Sequence, residues 1–264
     1  MLWHVARHPA RAELIKIECA IPEHRGPIMN LEYPRWHRLH QQQDKTASIS
    51  AADKSGLPPG ALIHVGEKHE SPGKISVVQY NDQTITECEI ESITDLQQLQ
   101  SNEAITWVNI DGLSNTRIIG DIGTQLNIHP LILEDILSTH QRPKLEEYDD
   151  YIYLVVKGIG ADYHDRLELR YEQISILLLA NCVITFKEKA DDIFRPVRFR
   201  LQNRKDRLRQ YGSDYLTYVL LDTVVDEYFV IEDHLDDIID PLEDNLLANP
   251  DQKALRTIQH FVVN

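Results

Sequence analysis

Glu134 and Asp135 stand side by side in the run Ile128-His129-Pro130-Leu131-Ile132-Leu133-Glu134-Asp135-Ile136-Leu137, and adjacent carboxylates offer the oxygen ligands that hard cations take. The same pair also reads as a solvated helix rim, and the residues alone leave both readings open. A second group of acids lies further on. Asp222 and Asp226 are one helical turn apart, and Asp233, Asp237, Asp240 and Asp244 continue a stripe at helical spacing. Like charges so placed cost roughly 0.2–0.5 kcal/mol each unless cations intervene. Either the basic block between Arg195 and Arg209 pairs with this stripe, or hydrated cations collect on it, or it is a plain solvated face. The histidines do not assemble a catalytic pattern. His129 precedes a proline and suits packing or capping, and His140, His164, His234 and His260 stand alone. His4/His8 and His37/His40 have no acid between them, and no His-Glu-x-x-His, Gly-x-Ser-x-Gly or Gly-rich phosphate loop occurs. An enzyme is not expected.

The elements that must carry these residues are legible in outline. Pro130 fits the first position of a helix, where its missing N–H leaves nothing unsatisfied. Leu131, Leu133, Ile136 and Leu137 are expected to face a core, with Glu134 and Asp135 at the rim and Pro143 setting the exit of the chain. Strand-like runs are expected over Ala61–Val65, Ile75–Tyr80, Thr84–Ile90, Thr106–Ile110 and Tyr151–Lys157, with a hairpin of Glu172–Leu179 and Cys182–Lys187 turning at Ala180-Asn181. Helical spacing appears over Ser92–Gln100 and Asn115–Leu126. Beyond Ile193 the pattern becomes helical. Phe194, Val197 and Leu201 share one face, and Asp214–Leu247 reads as a long helix with Leu220, Val224, Leu235, Ile238, Leu242 and Leu246 inward. Pro241 lies inside that helix, Asn249-Pro250 ends it, and another helix starts at Asp251. The fold class is therefore α/β, with Trp107, Ile110, Ile128, Leu133, Val155, Ile176 and Ile184 expected to be buried.

Three domains are expected: an N-terminal extension over 1–55 without readable order, an α/β unit over 56–210, and long helices over 211–264. The 264 residues carry a formal net charge of −15, which repels nucleic acid and anionic membrane surfaces and attracts cations. Cys19, Cys88 and Cys182 form neither a metal spacing nor a disulfide framework, which suits a reducing cytosol. No secretory signal and no run of about 18 apolar residues is present, so the chain itself is expected to be soluble and cytoplasmic.

Several separated phrases then occur in a telling order. They are Gly56-Leu57-Pro58-Pro59-Gly60, Trp107-Val108-Asn109-Ile110-Asp111-Gly112, Ile128–Leu137, Gln141-Arg142-Pro143-Lys144, and Asp214-Tyr215-Leu216 with Asp222, Asp226, Tyr228 and Phe229 after it. Together they resemble the cytosolic domain of the CorA-type magnesium channel family over roughly residues 56–261. The resemblance implies an α/β/α sandwich with a mixed sheet, followed by an acidic helical hairpin and the start of a stalk helix. It implies a homopentamer at the cytoplasmic face of the cell membrane, sensing Mg2+ or another divalent cation such as Co2+. By position, Asp135 matches the family's principal interface ligand, with Glu134 and Asp222 near a second site, and Asp226, Asp233, Asp237, Asp240 and Asp244 form a cation-attracting stripe. Magnesium keeps most of its water, so one or two carboxylates suffice. The stalk runs here only from about Asp251 to Asn264, and neither the membrane helices nor the Gly-Met-Asn pore motif is among these residues. A soluble acidic cation-binding module and a zinc-transporting relative are the alternatives.

Overall fold

The computed structural model describes residues 60–65, 73–93, 103–162, 168–189, 192–203 and 206–248, with backbone alone described at 161–162, 168 and 242–248. The expected extension over 1–55, most of the helix expected at Ser92–Gln100, and the stalk from Asp251 lie outside these residues, as do the side chains of Leu242, Asp244 and Leu246.

Strands β1 (Lys74–Tyr80), β2 (Ile85–Ile90), β3 (Ile105–Asp111), β4 (Lys144–Glu147), β5 (Ile152–Asp162), β6 (Glu168–Leu178) and β7 (Cys182–Lys187) form one mixed seven-stranded sheet in the order β2-β1-β3-β7-β6-β5-β4. Every neighbouring pair is antiparallel except β3 with β7, which run parallel with Trp107 opposite Val183 and Ile110 opposite Phe186. Successive side chains of a strand point to opposite faces, and the apolar residues sort accordingly. Ile75, Val77, Val108, Ile110, Tyr153, Val155, Ile184 and Phe186 face helices α1 (Thr116–Leu126) and α2 (Pro130–Leu137). Val78, Tyr80, Trp107, Leu154, Ile174, Ile176, Leu178 and Val183 face α3 (Arg195–Gln202) and the core end of α4 (Ser213–Ala248). All seven residues expected to be buried are so, none more than 6% exposed. Burying side chains of this size stabilises by roughly 1.5–3 kcal/mol apiece, so the two cores carry the layered fold.

The centre of the sheet also holds a chain of satisfied polar groups. Trp107 Nε1 donates to Thr185 Oγ1 (3.1 Å), Thr185 Oγ1 donates to Asn109 Oδ1 (2.8 Å), and Asn109 Nδ2 donates to Asp111 Oδ1 (2.9 Å). Lys187 Nζ ends the chain 3.2 Å from Asp111 Oδ1. Arg198 of α3 covers it, its guanidinium 5.0 Å from the Trp107 ring centre and its Nη2 donating to Ser76 Oγ (3.1 Å).

Several expectations need correction. Ala61–Val65 is no strand: only Val65 bridges, to Ser138, because it lies against the end of α2 and not beside a strand. Leu131 is 47% exposed, and Ile132 takes its place in the core. At 100° per residue, 132, 133, 136 and 137 form one stripe and 131 falls off it. Lys144–Glu147, over which no strand is expected from the sequence, forms β4 and pairs with β5 as an edge strand. The basic block is interrupted, helix α3 ending at Gln202 and a 3-10 turn (Arg207–Gln210) following. Its arginines do not reach the acidic stripe among the described residues. Arg198 pairs with Glu87 and Asp192, and Arg200 with Asp206. Helix α4 runs on through Pro241, but among its described side chains the last strongly buried one is Ile231, with Leu235 and Ile238 half-buried.

Candidate functional site

Helix α2 is positioned from both ends. The His129 ring accepts the Leu131 N–H through Nδ1 (3.3 Å), so His129 caps the helix that Pro130 opens. Tyr151 OH accepts the His129 N–H (3.1 Å), which ties the entry to the start of β5. A Cβ on Gly123 of α1 would lie 2.2 Å from Leu133 Cδ1, so the two helices approach through the missing side chain.

This packing leaves Glu134 and Asp135 at the rim, and each is engaged within the chain. Glu134 Oε2 accepts the N–H of Gly60 (2.9 Å). Gly60 has φ +82°, and a Cβ there would stand 2.9 Å from Pro130 Cβ, so the turn admits glycine alone. Asp135 Oδ1 accepts from Gln141 Nε2 (3.0 Å), while Oδ2 lies 2.6 Å from Lys144 Nζ. The same ammonium is 2.7 Å from Glu146 Oε1 and sits 5.4 Å above the Tyr153 ring centre. Tyr148 OH donates to the other oxygen of Glu146 (3.1 Å). Gln173 on β6 joins the two segments, its Nε2 donating to the Asp135 carbonyl (3.1 Å) and its Oε1 accepting the Gln141 N–H (3.0 Å).

The charges answer this geometry. Burial works against the Lys144 ammonium, but hydrogen bonds to Asp135 and Glu146 outweigh it and raise its pKa. The hydrogen bond from Lys144 leads the lowering of the Glu146 pKa. Lys157, whose Nζ donates to the Thr139 carbonyl (2.8 Å), is pushed down by burial.

Asp135 and Glu134 are thus adjacent on α2, whereas Asp222 lies exposed on α4, across the sheet from them. Within one chain they do not meet. Asp226, Asp233, Asp237 and Asp240 are exposed on α4, and the side chain of Asp244 lies outside the described residues. Among the described residues no group of three or more His, Cys, Asp or Glu side chains could hold a metal ion. Gln141 and Lys144 were missed as partners of Asp135. Their only signal was a proline between them, which turns the chain back toward α2. Among the described residues, no helix is long and apolar enough to cross a membrane.

Comparison with known proteins bears on what this rim could do. Residues 102–261 match the family model described as CorA-like Mg2+ transporter protein. The chain is 38% identical over 203 residues to the Cobalt/magnesium transport protein CorA of Thermotoga maritima, covering 77% of this chain and 57% of that one. It is 29% identical over 148 residues to the Putative metal ion transporter YfjQ of Bacillus subtilis, covering 55% of this chain and 44% of the relative. The chain therefore spans about half the length of these relatives. Its fold is similar to that of the soluble domain of CorA from Methanocaldococcus jannaschii, with a TM-score of 0.52, 17% identity and 69% of each chain covered.

Proposed function

The chain belongs to the CorA-like Mg2+ transporter protein family, and from that premise we propose that it is the cytosolic, divalent-cation-sensing part of a transporter subunit and not an enzyme. The observation that carries this reading is the 38% identity to the Thermotoga cobalt/magnesium transport protein, which extends over 77% of this chain. The donor chemistry of the α2 rim agrees with it, because Asp135 and Glu134 offer hard oxygen atoms and magnesium needs few of them beyond its water. In this reading the site is completed by water and by another subunit of a homopentamer, because magnesium keeps most of its water and needs few protein oxygens from each subunit.

In this mechanism α2 holds Asp135 at a fixed height above the sheet, toward the neighbouring subunit. Glu134, anchored on Gly60, and Asp222, on α4, add carboxylates to the same interface from different elements. A bound divalent ion supplies the positive charge that lets such acidic surfaces lie together. With the carboxylates unscreened, repulsion separates the subunits, and the closed pore is lost. Asp226, Asp233, Asp237, Asp240 and Asp244 raise the local cation concentration without forming a selective site.

Thermal unfolding against MgCl2 concentration tests this reading. A ligand that binds only the folded or assembled state stabilises it by RT ln(1 + [L]/Kd), about 2.7 kcal/mol at one hundred times Kd. Asp135→Asn is expected to remove most of the magnesium-dependent gain while leaving the fold intact. An equal magnesium response in the two proteins rules out Asp135 as the ligand.

A further inference from the structure

The contacts of Lys144 are more specific than a surface ion pair requires. Its ammonium lies between two carboxylates, 2.6 Å from Asp135 and 2.7 Å from Glu146. The side chains of Lys144 and Asp135 are each only 26% exposed, and the Tyr153 ring closes the space beneath the ammonium. Gln141 holds the second Asp135 oxygen. Both oxygens of the carboxylate assigned to cation sensing are therefore already served by donors that flank Pro143, Gln141 before it and Lys144 after it.

We infer that Lys144 is a tethered internal cation that occupies Asp135 in the ion-free chain and must leave it for a divalent cation to engage that carboxylate. It thereby sets the ion concentration at which the site responds. This rests on the reading of Asp135 as a cation ligand given above. The geometry makes the exchange feasible without stranding a charge. Lys144 and Glu146 are two residues apart on β4 and so project from the same face of the strand. When Lys144 gives up Asp135 it retains Glu146, and that carboxylate stays fixed by the Tyr148 hydroxyl. The three side chains Asp135, Lys144 and Glu146 carry a net charge of −1, so the pocket still attracts a cation while its internal one is in place. Lysine suits this task because its ammonium is a compact point charge on a flexible stem, whereas arginine would hold the carboxylate in a planar fork.

The test is thermal unfolding of the whole chain against MgCl2 at constant ionic strength, for wild type, Lys144→Gln, Lys144→Arg, Asp135→Asn and the double variant Asp135→Asn/Lys144→Gln. Lys144→Gln is expected to move the midpoint of magnesium stabilisation to lower concentration by about fivefold, the equivalent of an exposed ion pair at the upper end of its range. Lys144→Arg is expected to hold the midpoint or raise it, and this variant serves if Lys144→Gln does not fold. The double variant is expected to show no gain. Lys74→Gln, which removes a lysine 2.6 Å from Glu89 between β1 and β2, controls for net charge and is expected to leave the midpoint in place. An unchanged or raised midpoint in Lys144→Gln, with Asp135→Asn still abolishing the response, overturns the inference and leaves the sensing role of Asp135 standing. An equal shift in Lys74→Gln also overturns it, because net charge then explains the effect. If neither wild type nor Lys144→Gln shows a response that depends on Asp135, the sensing role fails and the inference fails with it.

Discussion

Around the sheet, carboxylates sit among cations: Asp111 beside Lys187, Asp135 and Glu146 on Lys144, Asp206 on Arg200, and Glu87 and Asp192 on Arg198. Along α4 beyond Val224 the situation reverses. Asp226, Asp233, Asp237 and Asp240 are exposed, and among the described residues none has an ion-pair partner. The net charge of −15 is thus compensated where the chain packs and concentrated where it projects. Carboxylates near the sheet already have a protein cation beside them, whereas those on α4 face solvent.

The largest effect that sharpens this contrast is expected at Asp111. Asp111→Ala removes an anion from beside Lys187, which is 1% exposed, and breaking such a buried pair costs about 3–5 kcal/mol. Asp237→Ala on the projecting helix is expected to stay within about 0.5 kcal/mol. Urea unfolding of both variants checks the difference, and similar costs would end the comparison.

Packing should follow the same division. Ile136 on α2 is fully buried, so Ile136→Ala is expected to cost about 2–5 kcal/mol. Ile239 on α4 is 41% exposed, and Ile239→Ala is expected to change stability by less than about 0.5 kcal/mol. A large loss at Ile239 would show that another surface covers the distal part of α4.

A smaller effect lies where the two regions meet. Asp226 is on the exposed side of α4, yet partial covering, and then the Asp222 charge one turn away, push its carboxyl above the ordinary range. A carboxyl raised in the folded state binds more protons there than in the unfolded chain across that window. Stability therefore falls as pH rises from the ordinary aspartate range through the folded pKa, and the penalty is complete above it. Asp226→Asn is expected to gain roughly 0.2–0.5 kcal/mol at neutral pH and to remove this part of the pH dependence. Unfolding series from about pH 3 to about pH 7, which begin below the ordinary aspartate range, read both.

The smallest effect concerns the stripe itself. Asp237→Asn with Asp240→Asn is expected to weaken the association of many divalent cations modestly and without selectivity, as followed by equilibrium dialysis. A large, magnesium-specific loss would show that α4 holds a formed site, and the contrast with α2 would fail.

Periodicity explains which elements could be read in advance. The stripe of Leu133, Ile136 and Leu137 and the proline at the start of α2 are local signals, and the helix follows. The strands β1, β3 and β7, buried on both faces, likewise follow from short apolar runs with turns between them. Strand β4 was hidden because Lys144, Leu145, Glu146 and Glu147 carry no apolar alternation, and its pairing with β5 alone makes it a strand. Ala61–Val65 had the composition of a strand but no neighbouring strand to pair with. In the candidate site, Glu134 and Asp135 were visible as adjacent carboxylates, whereas the donors upon them were not.

The amino-acid sequence by itself determined the succession of strands and helices, the acidic balance and the phrases that mark the family. These depend on residues within one or two turns of each other, where backbone geometry imposes a period of 3.6 or 2. Only the tertiary structure decided which cation serves which carboxylate. Lys144 reaches Asp135 because the chain reverses after α2 and pairs β4 with β5, and Lys187 reaches Asp111 because β3 and β7 lie side by side in a parallel register. Such pairings need the whole sheet in place, since an ion pair forms only where folding brings two charges within a few ångströms and excludes the water that would otherwise separate them.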